Sequence, residues 1–447
     1  MTQQTNAARP SERAKRSAPL AMLYTIGARF PVVARLPRPL QFLIRRSLVE
    51  IPARLNRARC SRTTVVGVTG SMGKTTTTHL LTTILAATGS TVTNRRDDNG
   101  LGGVPATIRA IRLSDRFAVV EAGIFDQPGE MRWMAGLMRP EVAILTGIGE
   151  DHSSAYGSRE RVALEKRALL ERLGRDGTAV VNSDDELARR MARGISCRVV
   201  LAGSSPDADV RVVSAKLAWP DGLDLQLAIR EQLLQARVPL HATHLAPLAA
   251  LAVAAAEACG IPAPRAVEAI TTFEPPHGRM NLVDGPNGSR FLMDDYKSRI
   301  ANAVLAVRAL GEAPAQRRIA VLGEAQECIH TAATYAPVAA ALPACADILI
   351  SVGRSGPPFT ELLRGTPLAG CHTSVDTVDA AVSALADLRE GDLVLVHGAT
   401  RQHLKRIKLI LDGIDVGCRV RRCTFPQPCP DCRFLSSEPP ARNIEAR

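Results

Sequence analysis

The stretch VVGVTGSMGKTTTT, Val65 to Thr78, decides the fold. The β-rich run TTVVGVTG ends in a glycine, and KTTTTHLLTTILAAT continues with helical spacing. Gly70 and Gly73 let backbone N–H groups turn toward a polyphosphate. The N-terminus of the following helix adds positive dipole character at the same place. Lys74 is expected to reach the β- and γ-phosphates of a bound nucleotide, and the Thr75 hydroxyl to bind Mg²⁺. The spacing departs from the G-x-x-x-x-G-K-[ST] form, because Val68 stands where the first glycine belongs and Gly67 precedes it. A chance glycine-rich turn is the plain alternative. The strand, the glycines, the lysine and the threonine together favour nucleotide binding.

Outward from this stretch, apolar strand runs alternate with helices. RFAVVEAG and EVAILTGIG are strand runs that end in glycine. The alternation predicts an α/β fold, with a central parallel sheet of the phosphate-loop type. A second alternating block starts near Phe291 with FLMDDY and runs through RRIAVLGE, DILISVG and DLVLVHGA. It predicts a separate Rossmann-like α/β unit. The break falls at EPPHGR, Glu274 to Arg279, which suits neither helix nor strand. The expected organisation is an N-terminal extension over 1–60, an ATP-binding domain over 61–276, a C-terminal domain over 277–417 and a tail over 418–447.

VVEAG places Glu121 at the carboxyl end of a strand, where a parallel sheet faces its ligand. There Glu121 holds Mg²⁺ directly or through water, or is a plain strand-end carboxylate. Asp151 and His152 follow another strand end, and Lys166 lies on the helix after them. Taken alone, such a histidine is more often structural and such a lysine a solvated charge.

The 447 residues are 46% hydrophobic and 22% charged, which excludes wholesale disorder. No uninterrupted apolar run is long enough to span a membrane, and no secretory signal is legible. Residues 1–60 hold 12 Lys/Arg against 2 Asp/Glu, a balance of +10. Residues 418–447 hold +3, so of the total +12 the body carries −1. A nucleic-acid partner is therefore not expected from net charge. Leu40, Phe42, Leu43, Ile44, Leu48, Val49 and Ile51, with Arg45 and Arg46 between them, read as an amphipathic helix. It packs on the body and shows its arginines to water, or it contacts an anionic membrane surface or a protein partner; the first is favoured. Cys197, Cys259, Cys328 and Cys345 are scattered among apolar stretches, as buried thiols in a reducing cytosol are, so a cytoplasmic location is expected. The tail cysteines Cys418, Cys423, Cys429 and Cys432 offer a tetrahedral Zn²⁺ site or free thiols.

With these residues in view, the chain resembles the Mur ligase family of ATP-dependent amide ligases. The resemblance spans residues 63 to about 415. It rests on TGSMGKTTTT, DDNGLGGVPATI, VVEAGIFDQPGEM, PEVAILTGIGEDH, YGSRERVALEK, AVVNSDDE, GRMN, DDY and RRIAVLGE, in that order. It implies that Thr69, Gly70, Ser71, Met72, Gly73, Lys74, Thr75 and Thr76 bind ATP, with Arg279 at the γ-phosphate and Asp295 at the nucleotide. It further implies that Thr75, Glu121, His152 and Lys166 serve the magnesium ions. Lys166 stands where many members carry a carbamylated lysine, an anionic group that can ligate Mg²⁺ where an ammonium repels it. Lys74, His152, Lys166 and Arg279 are the residues expected to carry the catalysis. The implied reaction converts a carboxylate to an acyl phosphate, which the amine of an amino acid or peptide then attacks.

Three features differ from the family pattern. Peptidoglycan members carry a UDP-sugar-binding domain before the loop, whereas about sixty residues precede it here. HATHLAPLAALAVAAA has Leu245 and Leu248 where the family carries Asn. The segment DDYKSRIAN lacks the usual His or Asn soon after its Asp. A non-catalytic ATP-binding assembly subunit is the alternative reading of these losses.

Overall fold

The computed structural model describes residues 46–95, 98–125, 127–150, 153–423 and 429–437. His152, Asp151 and the segment from Leu40 to Ile44 lie outside the described residues. The chain forms two compact units. One gathers the residues up to Val213 with Leu227–Leu234 and Pro247–Ile270. The other gathers Ser214–Gln226, Gln235–Ala246 and the residues from Thr271.

The first unit is built on parallel strands in the order β2-β3-β1-β4-β5-β6. These are β1 (Thr64–Thr69), β2 (Thr91–Thr93), β3 (Phe117–Glu121), β4 (Val142–Leu145), β5 (Thr178–Asn182) and β6 (Arg198–Gly203). Val65, Val66 and Val68 are buried, as in a parallel sheet covered on both faces. The helices are α1 (Ile51–Arg59), α2 (Lys74–Ala86), α3 (Gly103–Ala110), α4 (Glu130–Met138), α5 (Arg159–Leu170) and α6 (Ala246–Ala258). Strand β1 pairs with β3 on one side and β4 on the other. The strand order therefore reverses at β1, and such a switch point opens a crevice at the carboxyl ends of the strands. The residues that follow β1 and β3 both emerge at this edge.

One wide helical turn, Arg46–Glu50, leads into α1. Ala53 and Arg57 face inward, so the inward face of α1 includes an arginine. The Arg57 guanidinium donates to the carbonyls of Met138 (2.8 Å), Cys60 (3.1 Å) and Arg139 (3.0 Å) and to the Glu141 carboxylate (2.5 Å). Glu141 in turn accepts the Val65 N–H at 2.7 Å, which ties α1 to the first strand. Because the guanidinium is buried and its donors are used, truncation leaves several acceptors unmet. Arg57→Ala is expected to cost about 3 kcal/mol of unfolding free energy, measured by urea titration.

The second unit has a six-stranded sheet in the order β10-β11-β15-β12-β13-β14. Its strands are β10 (Asn281–Asp284), β11 (Arg290–Asp294), β12 (Arg317–Leu322), β13 (Ile348–Val352), β14 (His372–Val375) and β15 (Asp392–His397). β10 and β11 form an antiparallel pair, and the remaining pairs are parallel. Helices α7 (Ile300–Glu312), α8 (Ala332–Cys345) and α9 (Lys405–Leu411) belong to this unit. Both sequence blocks thus fold as α/β units. Between residues 210 and 238, where the alternation gave no expectation, lie the strands β7 (Val210–Ala218), β8 (Gly222–Ile229) and β9 (Gln232–Val238).

Of the two alternatives for the tail cysteines, the described residues do not show the zinc site. Among the described residues no three His, Cys, Asp or Glu side chains are grouped to hold a metal ion. The buried Arg406 instead sets its guanidinium between two of the thiols, donating to the Cys418 and Cys429 sulfurs at 3.3 Å each. His403 Nδ1 lies 3.0 Å from the Cys429 sulfur. Burial, with help from Arg406 and Lys405, pushes the His403 imidazole down to about 3. A depressed histidine contributes stability that is present above about pH 6.5 and is lost as pH falls toward 3. Thermal melts from pH 7 to pH 4 are expected to show this acid sensitivity, and His403→Gln to flatten it.

Candidate nucleotide-binding site

The crevice beside β1 is lined by the phosphate loop. Thr69 ends β1 fully buried, and its Oγ1 donates to the Ala122 carbonyl at 2.9 Å. This joins the loop to the residue after Glu121. Gly70 and Gly73 have φ of 152° and 77°. A Cβ on Gly70 would sit 1.9 Å from Thr146 Oγ1, and one on Gly73 would sit 2.6 Å from Leu248 Cδ2. Gly70 is therefore required by space as well as by conformation, and Gly73 by its conformation. The Ser71 N–H donates to the Gly147 carbonyl (2.8 Å) and Thr146 Oγ1 donates to the Met72 carbonyl (2.5 Å). The loop after β4 thus braces the phosphate loop from one side.

Two ammonium groups meet at the loop. Lys74 Nζ donates to the Gly70 carbonyl at 2.8 Å and to the Ser71 carbonyl at 3.3 Å. Lys166 Nζ donates to the same Gly70 carbonyl at 3.0 Å. Lys166 is only 1% exposed, so it is not the solvated helix charge that its Arg/Glu-rich surroundings suggest. Thr75 and Thr76 are buried in the first turn of α2, whereas Met72 is partly exposed. Ser71 Oγ is buried without a hydrogen-bond partner, the condition of a hydroxyl that awaits a ligand oxygen. The glycine cradle, this unsatisfied hydroxyl and the two lysines fit a polyphosphate with its metal ion.

Glu121 lies at the end of β3, opposite Val68 of β1, and is 2% exposed. Its Oε1 accepts Asn99 Nδ2 at 2.5 Å. Asn94 grips the backbone of Glu121 from both sides: its Oδ1 accepts the N–H (2.7 Å) and its Nδ2 donates to the carbonyl (3.1 Å). The carboxylate is held at the sheet edge as an oxygen donor suited to Mg²⁺. Asn99 was quoted only as a motif letter and Asn94 lies outside the quoted motifs; sequence reasoning gave neither a role, since such amides look like turn residues. Asn182 and Asp185 were missed in the same way. Asn182 Nδ2 donates to the Thr146 carbonyl (2.8 Å) and Asp185 Oδ2 accepts the Ile148 N–H (2.6 Å). Together they fix the loop that leads to His152.

In the second unit, GRMN and DDY are brought together. The Arg279 guanidinium lies 4.4 Å over the Tyr296 ring. A Cβ on Gly278 would sit 2.9 Å from Asp295 Oδ1, and that oxygen is buried without a hydrogen-bond partner. Burial pushes the Asp295 carboxyl up, against the lowering effect of Lys405.

Two family models match the chain: the Mur ligase middle domain over residues 68–256 and the Mur ligase glutamate ligase domain over residues 278–400. Curated relatives include UDP-N-acetylmuramoyl-tripeptide--D-alanyl-D-alanine ligases from Synechocystis and Mycobacterium tuberculosis. The first is 28% identical over 59% of this chain and 55% of its own length. The second is 28% identical over 80% of this chain and 74% of its own length. Similar solved structures include the UDP-N-acetylmuramoylalanyl-D-glutamyl-2,6-diaminopimelate--D-alanyl-D-alanyl ligase of Acinetobacter baumannii. It has a TM-score of 0.74 and 22% identity, over 83% of this chain and 80% of that one. The Thermotoga maritima ligase solved with ADP has a TM-score of 0.71 and 20% identity, over 82% and 83%. At these identities the structures establish the fold. The two models cover most of the chain in the order its units follow, and the chain belongs to the Mur ligase family of ATP-dependent amide ligases.

Proposed function

We propose that the chain transfers the γ-phosphoryl group of ATP to a carboxylate and couples the resulting acyl phosphate to the amine of an amino acid or peptide. The observation that carries this reading is the meeting of Lys74 and Lys166 at Gly70, beside the buried carboxylate of Glu121. Phosphoryl transfer to a carboxylate must bring two anions into contact, and fixed positive charge in a dry site lowers that cost. Lys74 neutralises the phosphates, and the N–H groups of Gly70 to Thr76 cradle them. Glu121, the Thr75 hydroxyl and His152 hold Mg²⁺, which supplies further charge neutralisation when bound. As a carbamate, Lys166 would give up its positive charge and would serve Mg²⁺ as an anionic oxygen donor, leaving Lys74 to supply the fixed positive charge. In the second unit Arg279 serves phosphate and Asp295 the nucleotide.

The carboxylate oxygen attacks the γ-phosphorus, and ADP leaves with the electron pair. The amine then adds to the acyl carbon, and the tetrahedral intermediate expels phosphate, leaving the amide. The substrates named by the relatives guide the first trial, with a UDP-linked muramoyl tripeptide as the acid and D-alanyl-D-alanine as the amine. A cytoplasmic location suits these substrates, and among the described residues no helix is long and apolar enough to cross a membrane. The non-catalytic alternative draws no support from the site, which keeps the loop, Glu121 and Lys166. The test is phosphate release with each substrate alone and with both. The reading requires release that depends on the pair; tight ATP binding with no release from any acid and amine would overturn it.

Glu121 depends on its amide partner for its direction, which yields a separate expectation. Asn99→Ala is expected to lower kcat about tenfold at saturating Mg²⁺ and to raise the Mg²⁺ concentration needed for half-maximal rate. A magnesium titration of the rate checks both.

A further inference from the structure

Helix α1 has a second face. Ala53 and Arg57 turn inward, whereas Leu48, Ile51 and Leu55 are 63%, 41% and 65% exposed. Ile51 and Leu55, four apart, share one stripe of α1, and Leu48 lies in the wide turn that leads into it. α1 packs against α3, and between them runs a groove of about 520 Å³ whose lining includes Arg59, Arg109, Arg112 and Leu113. Leu113 is 64% exposed. Scattered surface leucines need no explanation, but four exposed large apolar side chains about one helix and its groove form a patch.

The charge beside this patch has one sign. Arg59, Arg109 and Arg112 are exposed, and none makes an ion pair among the described residues. Glu50 is taken by Arg54 at 2.9 Å. Asp115 is buried, accepting from Ser90 Oγ and the Arg112 N–H. The preceding 45 residues add eight Lys/Arg against one Glu. An apolar stripe rimmed by guanidinium groups that make no ion pair among the described residues suits a surface that is anionic outside and apolar just beneath, as an acidic lipid bilayer is. A basic rim of this kind is poorly matched to a second copy of the same patch.

We propose that α1 and the α1–α3 groove dock this protein on an anionic membrane surface, with Leu48, Ile51, Leu55 and Leu113 entering the headgroup region and Arg59, Arg109 and Arg112 meeting the lipid phosphates. The contact is peripheral and lies apart from the phosphate loop. It does not depend on which substrates are joined.

The test is sedimentation of the full chain with vesicles of phosphatidylcholine alone or mixed with phosphatidylserine. Binding only to the mixed vesicles, weakened by salt, is expected. The triple variant L48S/I51S/L55S is expected to partition about tenfold less, with ATP binding and melting temperature unchanged. R59Q/R109Q/R112Q is expected to lose affinity and part of the salt dependence. Failure to bind mixed vesicles, equal binding to both kinds, or a triple serine variant that binds like the parent would each overturn the proposal. A marked fall in the melting temperature of the triple variant would also overturn it, because the stripe would then be covered by protein.

Discussion

Lys74→Ala is expected to abolish substrate-dependent phosphate release while leaving the fold intact. The side chain is buried at the start of α2, and its ammonium crosses the loop to the Gly70 and Ser71 carbonyls. Without it the loop keeps its glycines and its N–H groups but loses the buried positive charge held at their side. Removing one preorganised charge of this kind costs about 10²–10³ in rate. A steady-state phosphate assay under saturating substrates measures that loss, and circular dichroism verifies the fold. A variant within about threefold of the parent would remove Lys74 from the chemistry.

The second large effect lies at Gly70. Its φ of 152° is one that residues with a Cβ rarely adopt, and Thr146 Oγ1 occupies the place of a Cβ at 1.9 Å. Thr146 cannot simply retreat, because its hydroxyl holds the Met72 carbonyl and its backbone N–H holds the Thr69 carbonyl at 2.9 Å. Gly70→Ala is therefore expected to unseat the loop, with a loss of ATP affinity of about a hundredfold. Adding Thr146→Ala removes the closest atom and is expected to restore part of the affinity, so the two substitutions are non-additive. Calorimetric ATP titration of the two single variants and the pair gives the coupling. Purely additive losses would mean that the clash is not the cause.

These expectations show what the chain makes legible. The strand–glycine–lysine order of Val65 to Thr78 is local: β-branched residues, a turn that only glycine tolerates, and a lysine at a helix start lie side by side. The site residues at strand ends are legible for a similar reason, since Glu121 follows an apolar run directly. What positions them is not local. Asn99 meets Glu121 across 22 residues, Asn182 meets Thr146 across 36, and Lys166 meets Gly70 across 96. No spacing rule connects such pairs; they come together only once the parallel strands align.

Two arrangements that the sequence left undecided have the same origin. Arg57 carries no local signal, because its partners Met138, Arg139 and Glu141 come from the end of α4 and the turn into β4. The tail cysteines offered a zinc site or free thiols, and Arg406, a residue of α9, takes two of their sulfurs. Leu248 shows the converse. It replaces an amide of the family pattern, and its methyl group packs against Gly73, so an apolar contact supports the loop at that point. A helix that reads as plain apolar filler thus helps to shape the nucleotide loop.

The central claim is that a carboxylate is phosphorylated before the amide forms. The most direct measurement uses the acid substrate labelled with ¹⁸O in its carboxylate and follows the label by mass spectrometry. Acyl phosphate chemistry carries one carboxylate oxygen into the released phosphate, so labelled phosphate in step with amide is the predicted result. Amide formed with unlabelled phosphate would contradict the account.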